Sequence, residues 1–558
     1  MPLWFAMELD EETAVMAKGT MWQNLSSIIV KLCSFVYTIL VARLAAQEQV
    51  GLFYFGLSIV GIMGIFADFG LSTAIQRYIP YHLGRKEKAV AEQVIRFSVT
   101  AGTALLALCS VATFLLADAF AAFFHNPGLG PVMQLLAIQL SIYAAFNILL
   151  SLLVAFKQLH AYSVGYSAQN VLKILLLLSL IFTLGVDARS LSITYMLSFV
   201  IPCFYLMWAL LKPLSSLGQH PRFPLQTYWP IAREMVPFGL TIVGVVLFSN
   251  FVAYTDRVLL GYYLSSDVNP QIAIYTIASS FAGLVLIFAG SITPIFLPVV
   301  SELIGREDRA RVQRMSQTAL RWTLFSSVPI AAFVCAFAAP ILRSLYGASY
   351  EAGAWVLVLF SLGTLASAMG AIQRTALAGM RLVRIELYSM ICGAAVNVLL
   401  CLLLIPAYGI NGAAVASLAA FSVMSLVNHH YASRRMGFSF PQSAWKNLLA
   451  GAVVLAVLML IELAAYDPLV HLPIIIPDSA LLGGVLDKLI KMAVLGVFLG
   501  AGSLLYLVLV NVLHLFEPED RAVFGKILSK FGVPRAWQTP LARMVFWDAR
   551  LHAGEETK

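Results

Sequence analysis

Apolar side chains in this chain come in long uninterrupted runs. Val268–Ser301 and Leu387–Ser433 each pass more than thirty residues without an Asp, Glu, Lys or Arg. A bilayer-crossing helix needs about 20 predominantly apolar residues, because lipid offers no hydrogen bonds to exposed backbone. Cutting the runs at charge and Pro/Gly clusters predicts fourteen spans, at roughly 20–43, 50–71, 97–117, 130–156, 164–184, 190–211, 236–260, 271–298, 322–342, 353–372, 386–406, 411–432, 447–466 and 488–512. The expected fold class is an all-α polytopic membrane protein of about 14 transmembrane helices. The even number puts both termini on one side.

Basic residues between the runs say which side. With a cytoplasmic N-terminus, 28 of the 36 Lys and Arg residues fall on the inner face and six on the outer. Cytoplasmic loops carry the excess of Lys and Arg in membrane proteins. The expectation is the cytoplasmic (inner) membrane with both termini cytoplasmic. Trp22, Trp229, Trp322, Trp355 and Trp445 sit near span ends, as interfacial anchors should. Glu517-Pro518-Glu519-Asp520 reads as a helix start, and the helical spacing of Phe524, Ile527, Leu528 and Phe531 predicts an amphipathic tail helix on the inner surface.

Composition narrows the function classes. Of 558 residues, 60% are hydrophobic and 11% charged, against about 25% charged in soluble domains. A soluble enzyme, a disordered chain and a nucleic-acid binder are excluded, despite the net charge of +8. The six cysteines (Cys33, Cys109, Cys203, Cys335, Cys392, Cys401) lie singly in apolar runs. They read as small buried hydrophobes, not a disulfide frame or metal site. Walker, HExxH, CxxC and GxSxG motifs are absent, and His125, His160, His429 and His430 show no ligand spacing. Neither an enzyme nor a cofactor is expected. The acidic N-terminus, where a signal peptide would be basic, predicts no cleaved leader.

Self-comparison at an offset of 221 superposes Tyr54, Ser58, Gly84 and Arg85 on Tyr275, Ser279, Gly305 and Arg306, and GRKEKA (84–89) on GREDRA (305–310). That offset covers six helices, so the halves share orientation: a parallel pseudo-twofold repeat about the membrane normal. The expected organisation is a cytoplasmic N-terminus (1–19), an N-lobe (20–211), a cytoplasmic linker (212–235), a C-lobe (236–432), two further helices (433–512) and a cytoplasmic tail (513–558). Such lobes suit alternating access.

Three segments resemble a known family. ARLAAQEQVGLFYFGLSIVGIMGIFADFGLSTAIQRYI (Ala42–Ile79), LYGASYEAGAWVLVLFSLG (Leu345–Gly363) and NVLLCLLLIPAYGINGAAVASLAAF (Asn397–Phe421) are similar to the polysaccharide-transporter (O-antigen flippase) family of the multidrug/oligosaccharidyl-lipid/polysaccharide exporter superfamily. The resemblance implies translocation of a lipid-pyrophosphate-linked saccharide from the inner to the outer leaflet for cell-surface polysaccharide assembly. Its implied partners are that substrate, membrane lipids and polysaccharide assembly proteins. The glycines Gly51, Gly61, Gly64 and Gly70 also permit close packing and turns.

Two charges fit neither face. Lys31 and Lys173 lie near the midpoints of their spans, where a Lys costs roughly 2.5–3.5 kcal/mol. Lys31 shares a polar stripe with Thr20, Asn24, Ser27, Ser34 and Thr38. Lys173 follows Tyr162, Tyr166 and Gln169, with Asn170 alongside, and Gln139, Tyr143, Asn147 and Ser151 repeat every four residues on the fourth span. Polar stripes in apolar helices should face a wet interior. With the resemblance, they suggest a cavity whose lysines hold pyrophosphate while hydroxyls, amides and Tyr rings meet sugar. The competing reading makes each Lys half of a structural ion pair with an intramembrane carboxylate.

Among the carboxylates, Asp256 and Asp68 are the candidates for ion coupling, Asp256 ahead because Ser249 lies two turns below it. Arg374 and Asn397 are cavity candidates in the second lobe, although Arg374 also suits an inner-face charge. Pro294 and Pro298 in the eighth span suggest a hinge, or a fixed kink. The alternative function is a multidrug or small-molecule cation-coupled antiporter on the same fold, which would favour an acidic cavity. A membrane glycan polymerase or ligase ranks third, because no outer loop is long enough to carry its chemistry.

Overall fold

The computed structural model describes residues 11–68, 70–180, 185–217, 228–264, 267–380, 382–466 and 480–516. The predicted tail helix after Glu517 and the side chains of Thr20, Asn24, Asp68, Pro294 and Pro298 lie outside the described set. Every regular element among the described residues is helical.

The first part of the chain forms α1 (Glu11–Leu44), α2 (Gln47–Asp68), α3 (Leu71–Gly84), α4 (Lys88–Leu115), α5 (Ala117–Phe123), α6 (Leu129–Ala155), α7 (Leu159–Leu180) and α8 (Ala188–Ser215). Next come α9 (Tyr228–Tyr263), α10 (Val268–Ala282), α11 (Ile287–Gly305), α12 (Arg309–Ala336), α13 (Ala338–Leu345) and α14 (Ala354–Gly379). The chain continues with α15 (Val383–Met436), α16 (Gln442–Ile461) and α17 (Ala480–Val512). The expected linker 212–235 is shorter than read, because α8 runs on to Ser215 and α9 begins at Tyr228.

Twelve stretches of the described residues are long and apolar enough to cross a membrane. The expected count of fourteen differs at two places. The span expected at 271–298 is broken by a 3-10 turn at Gly283–Leu286 between α10 and α11, and is not among the twelve. The spans expected at 386–406 and 411–432 are continuous as α15. A straight helix of its 54 residues would measure about 80 Å, against about 30 Å of hydrocarbon.

Gly409 resolves that mismatch, with φ 54° and ψ −131° inside α15, a conformation that a Cβ opposes. The arms fold back on each other. Ser389 Oγ donates to the Met424 carbonyl at 3.1 Å, and Met390, Ala394, Ala420 and Met424 share a buried cluster with Val252. Gly412 lets the second arm pass close, since a Cβ there would lie 2.4 Å from the Leu404 carbonyl oxygen. The Pro-Ala-Tyr-Gly segment is therefore a hairpin turn. Gly409→Val is expected to destabilise the protein by about 1–3 kcal/mol, visible as a lower Tm in detergent. Tyr408→Phe, at an exposed neighbour, should leave Tm unchanged.

The internal repeat is visible in the element bounds. Shifting α4 by 221 residues gives the limits of α12, and Leu116, which breaks α4 from α5, becomes Phe337, which breaks α12 from α13. The preceding loops match bond for bond. The amides of Arg85, Lys86 and Glu87 donate to Tyr81, Leu83 and His82, and those of Arg306, Glu307 and Asp308 to Glu302, Ile304 and Leu303. Lys86 and Glu307 share positive φ, 62° and 59°. Such paired bonds cap a helix end by satisfying its last carbonyls.

Contacts divide the chain into two compact units, one of Glu11–Phe281 with Val383–Met424, the other of Ala282–Leu382 with the part from Ser425. This grouping cuts elsewhere than the lobe boundary read from the repeat. In the first unit α1 lies along α7, α7 along α8, and α8 along α6. In the second, α12 packs between α14 and α16.

Candidate functional site

The α1–α7 seam is polar at its centre. Ser26 Oγ reaches the Ser163 carbonyl (3.1 Å) and Ser167 Oγ (2.9 Å), and Ser34 Oγ donates to Asn170 Oδ1 at 3.4 Å. Gln169 Nε2 turns to Ser198 Oγ on α8 at 2.9 Å. Between these groups Lys173 is buried, at 7% exposure.

Its ammonium donates to Asn170 Oδ1 at 3.2 Å and stands 4.5 Å from the Tyr37 ring centroid and 5.8 Å from that of Tyr195. Cation–π attraction contributes about 0.5–2 kcal/mol where water is excluded. An ammonium has three donors, and one amide oxygen meets one of them. Among the described residues no carboxylate forms an ion pair with Lys173 or Lys31. Lys173 is thus a caged cation with donor capacity to spare.

Lys31 differs. It is exposed on α1 beside Ile28 and Leu32, as is Ser27, whose hydroxyl returns to its own helix at Gln23. The α6 stripe splits likewise. Gln139 and Ser151 are buried, Ser151 receiving Gln76 Nε2 at 3.2 Å, whereas Tyr143 is exposed and Asn147 bonds to the Tyr143 carbonyl. Tyr143 connects to the cage through rings: its centroid is 5.5 Å from Phe199, itself 5.5 Å from Tyr195. Arg374 is half-buried in the second unit, next to Gln373, which contacts His429 Nδ1 at 3.3 Å.

A second polar node joins α9, α10 and both arms of α15. Asp256 is buried at 2% exposure, accepts the Arg257 amide at 2.7 Å and receives the Tyr275 hydroxyl. Tyr275 Oη lies 3.4 Å from Ser417 Oγ, to which Asn397 Nδ2 donates at 3.4 Å. The Asn397 Oδ1 acceptor is buried without a partner. No basic side chain pairs with Asp256 among the described residues. The node thus offers two acceptors, Asp256 and Asn397 Oδ1, and suits a proton or small cation. Ser249, expected to assist, is exposed instead. Among the described residues no group of three or more His, Cys, Asp or Glu could hold a metal.

The two nodes lie at similar depths of their helices, although the 221-residue offset places Lys173 on Ala394, three residues before Asn397. Lys173 and Asn397 are each the fifteenth residue of their helix, and Tyr275 is the repeat partner of Tyr54. Tyr37, Tyr195 and Ser417 carry no sequence signal, and Tyr275 only its place in the repeat, because single Tyr or Ser residues are commonplace in apolar helices.

At the bundle end remote from the Gly84–Ala89 loop, residues from the two repeats interlock. Asn126 Nδ2 donates to Asn269 Oδ1 at 2.8 Å, and a Cβ on Gly51 would lie 1.6 Å from the Asn269 carbonyl oxygen. A Cβ on Gly261 would meet the Phe55 ring at 2.1 Å, and Phe123 stacks on Tyr262.

The sequence pattern of the family described as "Polysaccharide biosynthesis protein" matches residues 16–304, more than half of the chain and all but the first five residues of the α1–α8 region that holds the Lys173 cage. The chain belongs to this family. The MatE pattern also matches, over 241–403, and the protein is a transporter of the multidrug/oligosaccharidyl-lipid/polysaccharide exporter superfamily. An uncharacterized membrane protein of Methanocaldococcus jannaschii is 23% identical over 77% of this chain and 86% of its own. The probable low-salt glycan biosynthesis flippase Agl15 of Haloferax volcanii is 21% identical over 72% of this chain and 81% of its own. The lipid II flippase MurJ, in an inward closed conformation, shares the fold, with a TM-score of 0.65 at 15% identity over 86% of this chain and 98% of its own.

Proposed function

We propose that this polysaccharide-biosynthesis family member moves a lipid-pyrophosphate-linked oligosaccharide across the cytoplasmic membrane by alternating access, with both termini cytoplasmic. The observation that carries the reading is Lys173, a buried cation with spare donors and no carboxylate partner among the described residues. A pyrophosphate supplies the missing anion, and Tyr37 and Tyr195 hold the ammonium ready for it. Lys31, Ser27 and Ser34 line the approach on α1, with Asn24, Gln169, Asn170, Tyr143 and Asn147 as sugar-facing candidates. Arg374 and Asn397 are the candidates from the second repeat. The interlock around Gly51 and Asn269 acts as the outer seal, so loading is from the cytoplasmic side.

Asp256 is the proposed coupling group, with Asp68 behind it. A cation-coupled small-molecule antiporter is the second reading, favoured by the MatE match over the Asp256 region. Reconstituted vesicles separate the two. An oligosaccharide-pyrophosphate lipid, labelled on the sugar and loaded in one leaflet, should become accessible to an impermeant glycosidase on the other side. Ethidium should not accumulate. Ethidium uptake without glycan-lipid translocation would replace the flippase by the antiporter.

A further inference from the structure

The seam between the two repeats holds a cation that no side chain in it answers. Helix α9, which opens the second repeat, lies along α2 of the first. A Cβ on Gly61 of α2 would meet the Tyr254 ring at 2.9 Å, and a Cβ on Gly261 would overlap the Phe55 ring of α2. Tyr254 and Gly261 are two turns apart, so helical spacing puts Arg257 between them, on the side of α9 turned to α2.

Arg257 is half-buried there, and its Nε is buried without a hydrogen-bond partner. Among the described residues no carboxylate lies within ion-pair distance of its guanidinium. Asp256, next in the chain, takes only the backbone amide of Arg257 and turns its side chain to Tyr275 on α10. A guanidinium keeps its charge in proteins, so an unpaired one destabilises the seam that encloses it.

Depth and neighbours indicate what pairs with it. Arg257 stands six residues before the end of α9 and Lys173 seven before the end of α7. One crossing, α8, separates these helices, so they run the same way and the two cations lie at similar depth. Tyr254, one turn from Arg257, is within electrostatic reach of Tyr195, whose ring flanks Lys173. A pyrophosphate carries charge enough for both cations, and the guanidinium fork matches phosphate oxygens. The packed contacts at Gly51, Gly61 and Gly261 leave an anion no room between α2 and α9. It can reach Arg257 only when the two helices part.

We propose that Arg257 takes the substrate's pyrophosphate, together with Lys173, as the outer seam opens, and that this pairing drives the opening. The proposal rests on the flippase reading above. A ligand that binds only the open arrangement shifts the population toward it.

The test follows the seal in the full-length protein in detergent. Asn269→Cys places a thiol at a buried position of the interlock, and its rate of modification by a polar maleimide reports opening. Protein without that substitution gives the background of the six native cysteines. Geranylgeranyl pyrophosphate should speed modification about fivefold or more, the lower end of ordinary allosteric coupling, and geranylgeraniol should not. Arg257→Gln in the same background should lower the basal rate and lose the response. Arg257→Lys, which keeps the charge without the fork, should respond with a half-maximal concentration raised about tenfold, as one lost charge-assisted hydrogen bond implies. It carries the test if Arg257→Gln fails to fold. A purely structural Arg257 would change the basal rate or Tm and leave the fold-stimulation by the lipid pyrophosphate intact. That result, an unchanged half-maximal concentration in Arg257→Lys, or no stimulation before Arg257 is altered overturns the proposal. Retention of geranylgeranyl pyrophosphate in native mass spectrometry is read separately. Retention without a labelling response sinks the role of Arg257 and leaves the flippase reading standing, whereas no retention removes both.

Discussion

Lys173→Met should give a protein that inserts and folds normally but translocates glycan lipid on the order of 100-fold more slowly. Losing one partner of a buried charge contact costs about 2–5 kcal/mol, and about 2.7 kcal/mol is a hundredfold. Met nearly fills the volume of Lys and keeps an apolar contact with the rings of Tyr37 and Tyr195. Because the cage holds a charge with one hydrogen bond, its removal also relieves a desolvation penalty. Tm should therefore hold or rise while translocation falls. The same assay on Lys31→Met should show a smaller loss, because Lys31 is exposed and makes no caged contact. A Lys173→Met protein that transports at the wild-type rate would remove the anion role. One that fails to fold would favour a purely structural Lys.

Asp256→Asn should abolish the stimulation of translocation by an imposed ion gradient and leave slow, uncoupled movement. The substitution is nearly isosteric and keeps one oxygen, for either the Tyr275 hydroxyl or the Arg257 amide, which Asp256 receives on different oxygens. What disappears is the charge that recruits a cation to the Asp256–Tyr275–Ser417–Asn397 node. A ligand at 100 times its dissociation constant stabilises the state it binds by about 2.7 kcal/mol. Sodium or acid titrations of Tm should therefore raise the wild-type midpoint and leave that of Asp256→Asn flat. Whichever of the two shifts Tm names the coupling ion. Gradient-driven transport by Asp256→Asn equal to wild type would move coupling elsewhere, with Asp68 next in line.

Lys31 and Lys173 looked equivalent in the sequence, since each sits mid-span with polar neighbours at helical spacing. Helix rotation separates them. Lys173 turns toward Tyr37 and Tyr195, whereas Lys31 points out beside Ile28 and Leu32. The α6 stripe shows the same effect, with Gln139 and Ser151 directed into packing and Tyr143 left open. Periodicity says that polar residues share a face; it does not say which neighbour that face meets. Asp256 stood out as a buried-run carboxylate, but Tyr275, Ser417 and the unpaired Asn397 oxygen come from segments up to 161 residues away in the chain. No local pattern could have joined them.

Hydropathy and charge by themselves determined the membrane class and the helical content, and residue identities determined the repeat at 221 residues. Those properties depend on composition over a span, or on loops that close with local hydrogen bonds, and neither needs a distant partner. The tertiary structure decided the rest. It made Gly409 a hairpin turn, placed rings rather than a carboxylate around Lys173, and gathered four helical segments around Asp256. The cost of burying a charge is local and legible in the sequence. What answers that cost is set by which helices meet, and that is a property of the packed bundle alone.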